Sequence, residues 1–308
     1  MRRRTWGLWA AGVVLGLLGT APAAADGSHG TGHARTASGK ARGGKVSLAA
    51  IATGGQEVPD PHGPAVGDDD GKAAVVVNVR GKRITFALRW RGILAPTQAH
   101  IHRGRAGENG DVVVPLFSTP MPEGVHAAAG HISLEDAELA RHISRDPGGF
   151  YVNLHNEKFP GGAVRGQLER LRKPANPLAV VKGGKILALA SGLQEVPNGD
   201  DKPEGDIDGV GIAFLHPRGR DVGYSLVWTN ITAPVAAHVH EGGFGKNGDV
   251  RVPLLTTPVP DTVFAVSGTV RHQDARLLKR LAARPGHFYA NLHTEEFPDG
   301  AVRGQLFG

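Results

Sequence analysis

The chain of 308 residues contains no cysteine. That excludes disulfides, thiol nucleophiles and thiolate metal sites, so stability has to come from burial in full-sized cores. Long apolar runs are also missing. The only candidate, Trp6 to Leu18, is shorter than the roughly 20 residues a membrane span needs, and none follows later. Aromatic residues are scarce, and no Lys/Arg run is interleaved with them, so a nucleic-acid-binding face is unsupported. Gly-x-Ser-x-Gly, a phosphate-binding glycine loop and a paired glycosidase carboxylate pattern are all absent. The acidic stretches Asp68-Asp69-Asp70 and Asp206/Asp208 lack EF-hand spacing and its closing Glu, which makes them solvated turns.

What is present begins with an export signal. Arg2, Arg3 and Arg4 precede the apolar segment, and Ala23-Ala24-Ala25 supplies small residues at the cleavage positions. Residues 1–25 are therefore expected to be a signal peptide cut after Ala25, and the protein to be secreted. Its removal takes away three Arg and no acid, leaving 32 basic against 29 acidic residues, a net charge of +3 rather than +6. Residues 26–44 are rich in Gly, Ser, Ala, His and Lys/Arg without hydrophobic period and read as a flexible leader.

An internal repeat organises the rest. Gln56-Glu57-Val58-Pro59 recurs as Gln194-Glu195-Val196-Pro197, an offset of 138 residues. The same offset carries Trp90 to Trp228, His100-Ile101-His102 to His238-Val239-His240, and Asn109-Gly110-Asp111 to Asn247-Gly248-Asp249. It also carries Tyr151, Asn153, Leu154 and His155 to Tyr289, Asn291, Leu292 and His293, and Ala163 through Leu168 to Ala301 through Leu306. This period is far beyond that of solenoid arrays and indicates tandem duplication of one domain. The expected division is domain one at 45–171, a charged, Pro-rich linker at 172–182, and domain two at 183–308.

Short β-branched or aromatic runs dominate each copy. In the first they are Val46 to Ala52, Ala73 to Val79, Arg83 to Trp90, Val112 to Leu116 and Phe150 to Leu154. Asn109-Gly110 is a strong hairpin-type turn signal, because both residues tolerate positive φ. One helix per copy is expected, capped by the box Ser133-Leu134-Glu135-Asp136 and ending near Pro147 in the first, and spanning Gln273 to Ala283 in the second. The fold class is all-β, two tandem β-sandwich or barrel modules with one short helix each.

The His-x-His pairs carry the chemistry. Alternation along a strand puts His100 and His102 on one face, and His238 and His240 likewise. His155 and His293 follow the Tyr-x-Asn-Leu strand and complete a trio if that strand lies alongside. Three neutral imidazoles without thiolates suit copper or zinc rather than calcium or magnesium. The alternative is that these histidines only tie loops together by hydrogen bonds to carbonyls. For Arg165 and Arg303 two roles stand open: guiding an anion toward a metal, or a structural ion pair with Glu57 or Glu195, which is favoured.

Gln-Glu-Val-Pro, Ala-His-Ile-His-Arg-Gly with Asn-Gly-Asp, and Tyr-Val-Asn-Leu-His with Phe-Pro-Gly-Gly-Ala-Val-Arg-Gly-Gln-Leu together resemble the CHRD (chordin) domain, over nearly the whole of both copies. The resemblance implies an extracellular all-β module with no established catalytic activity. A weaker likeness is to copper-zinc superoxide dismutase. His238-Val239-His240-Glu241 is similar to that family's copper-binding segment, and His155-Asn156-Glu157-Lys158 to the stretch with its late copper ligand. It implies His100, His102 and His155, and His238, His240 and His293, as copper ligands, with Arg165 and Arg303 as anion guides. The metal-bridging histidine, the zinc-loop ligands and the disulfide have no counterpart. His126, His131 and His272 do not occupy equivalent positions in the two copies, which argues against a two-metal enzyme. The favoured expectation is a secreted, non-enzymatic binding or structural protein whose partner is an unknown extracellular protein or surface ligand. Each domain would offer one three-histidine copper or zinc site. The alternatives are a copper-only superoxide dismutase-like oxidoreductase and extracellular metal storage.

Overall fold

The computed structural model describes residues 44–197, 199 and 205–308. The expected signal peptide, and the expected leader apart from Gly44, lie outside the described residues. The first copy consists of β1 (Val46–Thr53), β2 (Lys72–Arg80), β3 (Arg83–Arg91), β4 (Gln98–Arg103), β5 (Val112–Phe117), β6 (Val125–Ser133), helix α1 (Ala137–Arg145), β7 (Phe150–His155), β8 (Val164–Gln167) and the short β9 (Glu169–Arg170). The second copy repeats the plan as β10 (Ile186–Ser191), β11 (Val210–Arg218), β12 (Asp221–Thr229), β13 (Ala236–Glu241), β14 (Val250–Leu255), β15 (Val263–Val270), α2 (Ala275–Ala283), β16 (Phe288–His293) and β17 (Val302–Phe307).

The strands form where alternation and β-branching coincide. In β2 and β3, Val75, Val77, Val79, Ile84, Phe86, Leu88 and Trp90 are buried, and their partners along each strand point outward. The two strands close through a two-residue loop that begins with Gly81 at φ 59°. The matching loop of β11 and β12 begins with Gly219 at φ 65°. Glycine at the first loop position supplies the backbone hand that tight hairpins need.

All named strand pairings are antiparallel, in the order β5-β4-β7-β8-β1-β2-β3-β6, with β9 also pairing to β1. The second copy runs β14-β13-β16-β17-β10-β11-β12-β15. Inward residues of the two halves of each sheet, such as Leu48, Val77 and Phe86 against Ile101, Leu116 and Val152, belong to one core. Each copy is thus an all-β sandwich with one short helix, as expected. Helix α1 contributes buried Ala140 and Ile143, and α2 contributes Leu277, Leu278 and Leu281.

Two local expectations are corrected. Ser133 does not cap α1; it ends β6, held opposite Arg83. The cap is Asp136, whose side chain accepts a 2.7 Å hydrogen bond from the Glu138 amide. Ladder pairing therefore outcompetes the capping box and shifts the helix start. Asn109-Gly110 does lie in the connection of the antiparallel β4–β5 hairpin, but not as its tight turn. Both residues sit in an eight-residue connection, 104–111, and the positive φ falls on Gly107 instead. Gly110 is required by crowding, because a Cβ there would stand 1.6 Å from the Arg103 carbonyl oxygen.

The copies join edge to edge. β6 pairs antiparallel with β15, so one ladder runs from β3 through β6 and β15 to β12. Within the expected linker, Asn176 caps a 3-10 turn at Pro177–Val180. Val180 is buried against Ala87, Ala127, Ala129 and Ala265 on that shared sheet.

Candidate metal centre

The site is built on the face of β4, β7 and β8 that points away from the sandwich core. Register places His100 opposite Asn153, His102 opposite Tyr151, and Gln98 opposite His155. Across the next pairing, Asn153 faces Arg165 and Tyr151 faces Gln167. Paired positions share a face, so one polar layer collects all of these side chains, while Ile101, Val152, Leu154 and Val164 enter the core.

The two predicted trios assemble. One ligand nitrogen from each of His100, His102 and His155 lies within 4.8 Å of the others, and the same holds for His238, His240 and His293. Among the described residues no other group of three His, Asp or Glu side chains converges so closely. His100 Nδ1 and His155 Nε2 are 3.3 Å apart, and His238 Nδ1 and His293 Nε2 are 3.1 Å apart. Two nitrogens bound at about 2.0–2.1 Å to one tetrahedral ion stand roughly 3.4 Å apart. That pair is already at coordination spacing.

The tautomers follow from the neighbours. His102 Nδ1 lies 2.9 Å from the Gly110 carbonyl, and His155 Nδ1 lies 3.0 Å from that of Pro160. A carbonyl only accepts, so both rings donate from Nδ1 and present Nε2 as a lone pair. The second copy repeats this with Gly248 at 2.9 Å from His240 and Pro298 at 3.0 Å from His293. The Nε2 atoms of His102 and His240 are buried and lack a hydrogen-bond partner. Fixing ligand rings through backbone carbonyls is how metal sites orient imidazole.

Electrostatics keep these rings neutral. Burial, reinforced by the adjacent imidazoles, pushes His100 and His238 down to about 4. Burial also lowers His102, His155, His240 and His293, against the opposing pull of their carbonyl hydrogen bonds. At neutral pH each trio is uncharged and carries no carboxylate. The Nε2 of His102 or His240 is free, while that of His155 or His293 accepts from the neighbouring Nδ1, whose proton a metal would displace. Such a donor set fits copper or zinc and not calcium or magnesium.

Behind each trio stands a stack that the sequence did not announce. The His102 ring lies on Tyr151 with centroids 4.8 Å apart and planes 9° apart. The Arg165 guanidinium carbon lies 3.5 Å from the Tyr151 ring centroid. His240, Tyr289 and Arg303 repeat the arrangement at 4.7 Å and 3.5 Å. Arg165 and the expected partner Glu57 attract each other through their charges, but the hydrogen bonds of the guanidinium go elsewhere. Arg165 donates to Asn109 Oδ1 at 3.1 Å and to the carbonyls of Arg105 and Glu108 at 2.9 and 2.6 Å. Arg303 likewise donates to Asn247 Oδ1 and to the carbonyls of Gly243 and Lys246 rather than to Glu195. The long 104–111 connection brings three acceptors to the guanidinium, and a carboxylate is not needed. Glu57 instead accepts from Asn153 Nδ2 at 3.2 Å, and Glu195 from Asn291 at 3.3 Å. Burial raises Glu57 to about 7 and Glu195 to about 8, despite the nearby guanidinium. Gln167 pins the same loop by donating to the carbonyls of Gly104, Gly148 and Phe150. The signal for these residues was their recurrence at the common offset, which marks them but does not assign partners.

The sequence pattern of the CHRD domain matches residues 48–168 and 186–306, and each matched span contains one complete trio. No curated protein matches the chain.

Proposed function

The chain belongs to the CHRD-domain family, and from that footing we propose that it is an exported metal-binding protein whose two CHRD domains each hold one copper or zinc ion. The ligands are His100, His102 and His155 in the first domain, and His238, His240 and His293 in the second. The carrying observation is the buried, partnerless Nε2 of His102 and of His240, each aimed beside two further imidazole nitrogens. Leaving such an atom without a partner costs free energy that coordination recovers. Export rests on the Arg2–Arg4 and Trp6–Leu18 pattern, and places the domains where an extracellular protein or surface ligand is the partner.

Arg165 and Arg303 bear on the oxidoreductase alternative. Each residue is almost wholly buried, at 1% and 2% exposure, and both its terminal nitrogens donate to loop acceptors. A guanidinium so committed serves the loop and the tyrosine rather than drawing anions in from solvent. This favours holding a metal over turning over an oxidant.

The experiment is elemental analysis of the mature chain after exposure to copper or zinc and exhaustive dialysis, with superoxide consumption assayed on the same sample. Two ions per chain without turnover is the expected result. Two copper ions with turnover would move the reading to the oxidoreductase. A protein that stays metal-free would end it. Intact mass of the secreted product, expected to begin at Asp26, tests export separately.

A further inference from the structure

The ladder that joins the two domains has a symmetry that its residue numbers reveal. Five pairs define it: Val263 with Gly130, Ala265 with Ala129, Val266 with Ala128, Ser267 with Ala127, and Gly268 with Val125. Subtracting the repeat offset of 138 turns Val263, Ala265, Val266, Ser267 and Gly268 into positions 125, 127, 128, 129 and 130 of the first domain. Position 125 then pairs with 130 and 130 with 125; 127 pairs with 129 and 129 with 127; position 128 pairs with itself. Even the two register irregularities, between Val263 and Ala265 and between Ser267 and Gly268, exchange under this operation.

The flanking hydrogen bonds obey the same rule. The His131 amide donates to the Thr262 carbonyl at 2.8 Å, and the Thr269 amide donates to the Gly124 carbonyl at 2.9 Å. Thr262 is the repeat equivalent of Gly124, and Thr269 that of His131, so each bond is the other's counterpart. An interface in which residue i meets j and j meets i is the mark of an isologous, two-fold contact.

We infer that the seam between β6 and β15 is a homodimer interface closed within one chain: the β6 edge of a CHRD domain of this protein is a self-complementary docking surface, and its partner is a second copy of the same domain. Two domains joined only for linkage have no reason to meet through equivalent strands centred on one equivalent residue. The linker does not share this two-fold symmetry. Its Val180 carbonyl accepts from Ser267 Oγ at 2.7 Å, and the Lys182 amide donates to Ser225 Oγ at 2.9 Å. Both serines belong to the second domain, where the first has Ala129 and Ala87. The first domain meets the linker through other residues, Asn78 Nδ2 donating to the Ala175 carbonyl at 3.1 Å and Arg89 Nη2 to that of Val180 at 3.4 Å, so a single asymmetric strap crosses a two-fold seam.

The test cuts the covalent link, in a chain that also carries Asn78→Ala and Arg89→Ala to remove two side chains that hold the linker to the first domain. A site-specific protease sequence is inserted between Arg172 and Lys173, both exposed and upstream of the capped turn. After cleavage of the folded chain, the halves are expected to elute together at the mass of the intact protein. Separation into two half-mass species would overturn the inference. Hydrogen exchange on the uncut chain gives a second reading. The amides of His131 and Thr269 are expected to be protected to the same degree as those of the β2–β3 ladder. Exchange at the rate of an exposed strand edge would contradict a closed seam, even if the cut protein proved hard to handle. Neither measurement depends on metal, so failure here leaves the metal reading standing, and the reverse also holds.

Discussion

Taking away the guanidinium of Arg165 would leave Asn109 Oδ1 and the carbonyls of Arg105 and Glu108 without their donor, and Tyr151 without the cation on its face. Arg165→Met is therefore expected to destabilise the protein by about 3 kcal/mol, the scale of buried polar groups left unsatisfied. Arg165→Lys is expected to recover little, because a single ammonium cannot reproduce the fork. Denaturant midpoints of the two variants check this, and a methionine variant as stable as the parent would contradict it. The titrating groups give a second prediction at this scale, for the metal-free chain. All six ligand imidazoles have folded values below the usual 6.5, so the unfolded chain binds more protons there. Their contribution is complete above about 6.5 and is lost as pH falls toward 4. Glu57 and Glu195 are raised instead, to about 7 and 8, so their contribution is complete below 4.5 and is lost as pH rises through those values. Stability should peak near neutrality, and the Glu57→Gln, Glu195→Gln double variant should flatten the alkaline limb and steepen the rise between about 4.5 and 6.5. Unfolding free energies between pH 4 and 9 decide the matter. A limb unchanged by the double variant would refute the assignment.

At the scale of the element, the connection from Gly104 to Asp111 does the work of a strap. Its Gly110 carbonyl orients His102, its Asn109 reaches both Arg165 and the Val58 carbonyl, and Gly104 accepts from Gln167. Gly110→Ala would drive a Cβ against the Arg103 carbonyl and displace the oxygen that holds His102. Metal affinity of the first site is expected to fall roughly 10- to 100-fold, as for lost outer-shell partners, while the second site is unaffected. Titration with a competing chelator reads both sites at once, and equal loss at both would argue against so local a cause. Asp136→Ala should cost α1 about 1 kcal/mol, since that side chain and not Ser133 caps the helix. What was legible divides along the same line. Period-two patterning located β2, β3 and β7, and the His-x-His spacing located a shared face, because both are local properties of an extended chain. The Asn109-Gly110 misreading has a physical origin. The pair is a turn signal in isolation, yet here the glycine answers to crowding and the asparagine to an arginine 56 residues away. The partner of Arg165 was illegible for the same reason, since carbonyl oxygens carry no residue type.

Over the whole molecule, a shared ladder and a common apolar cluster predict that the domains do not melt separately. Near-ultraviolet and far-ultraviolet signals should report one coincident transition, where two resolved steps would show that the seam contributes little. The sequence revealed the duplication and left the contact unseen, because the Ala127, Ala128, Ala129 run of β6 lacks the β-branched and aromatic residues that mark strands, and this strand is not among those expected. Only the pairing shows that small side chains let the Val180 turn lie down on the joined sheet. There is also a consequence for handling the gene. An isolated first half, made by a premature stop or a careless domain boundary, would present β6 with its row of amides and carbonyls bare, a ready template for edge-to-edge association. Fragments of this protein should precipitate or pair promiscuously, and solubility is a property that the two halves confer on each other.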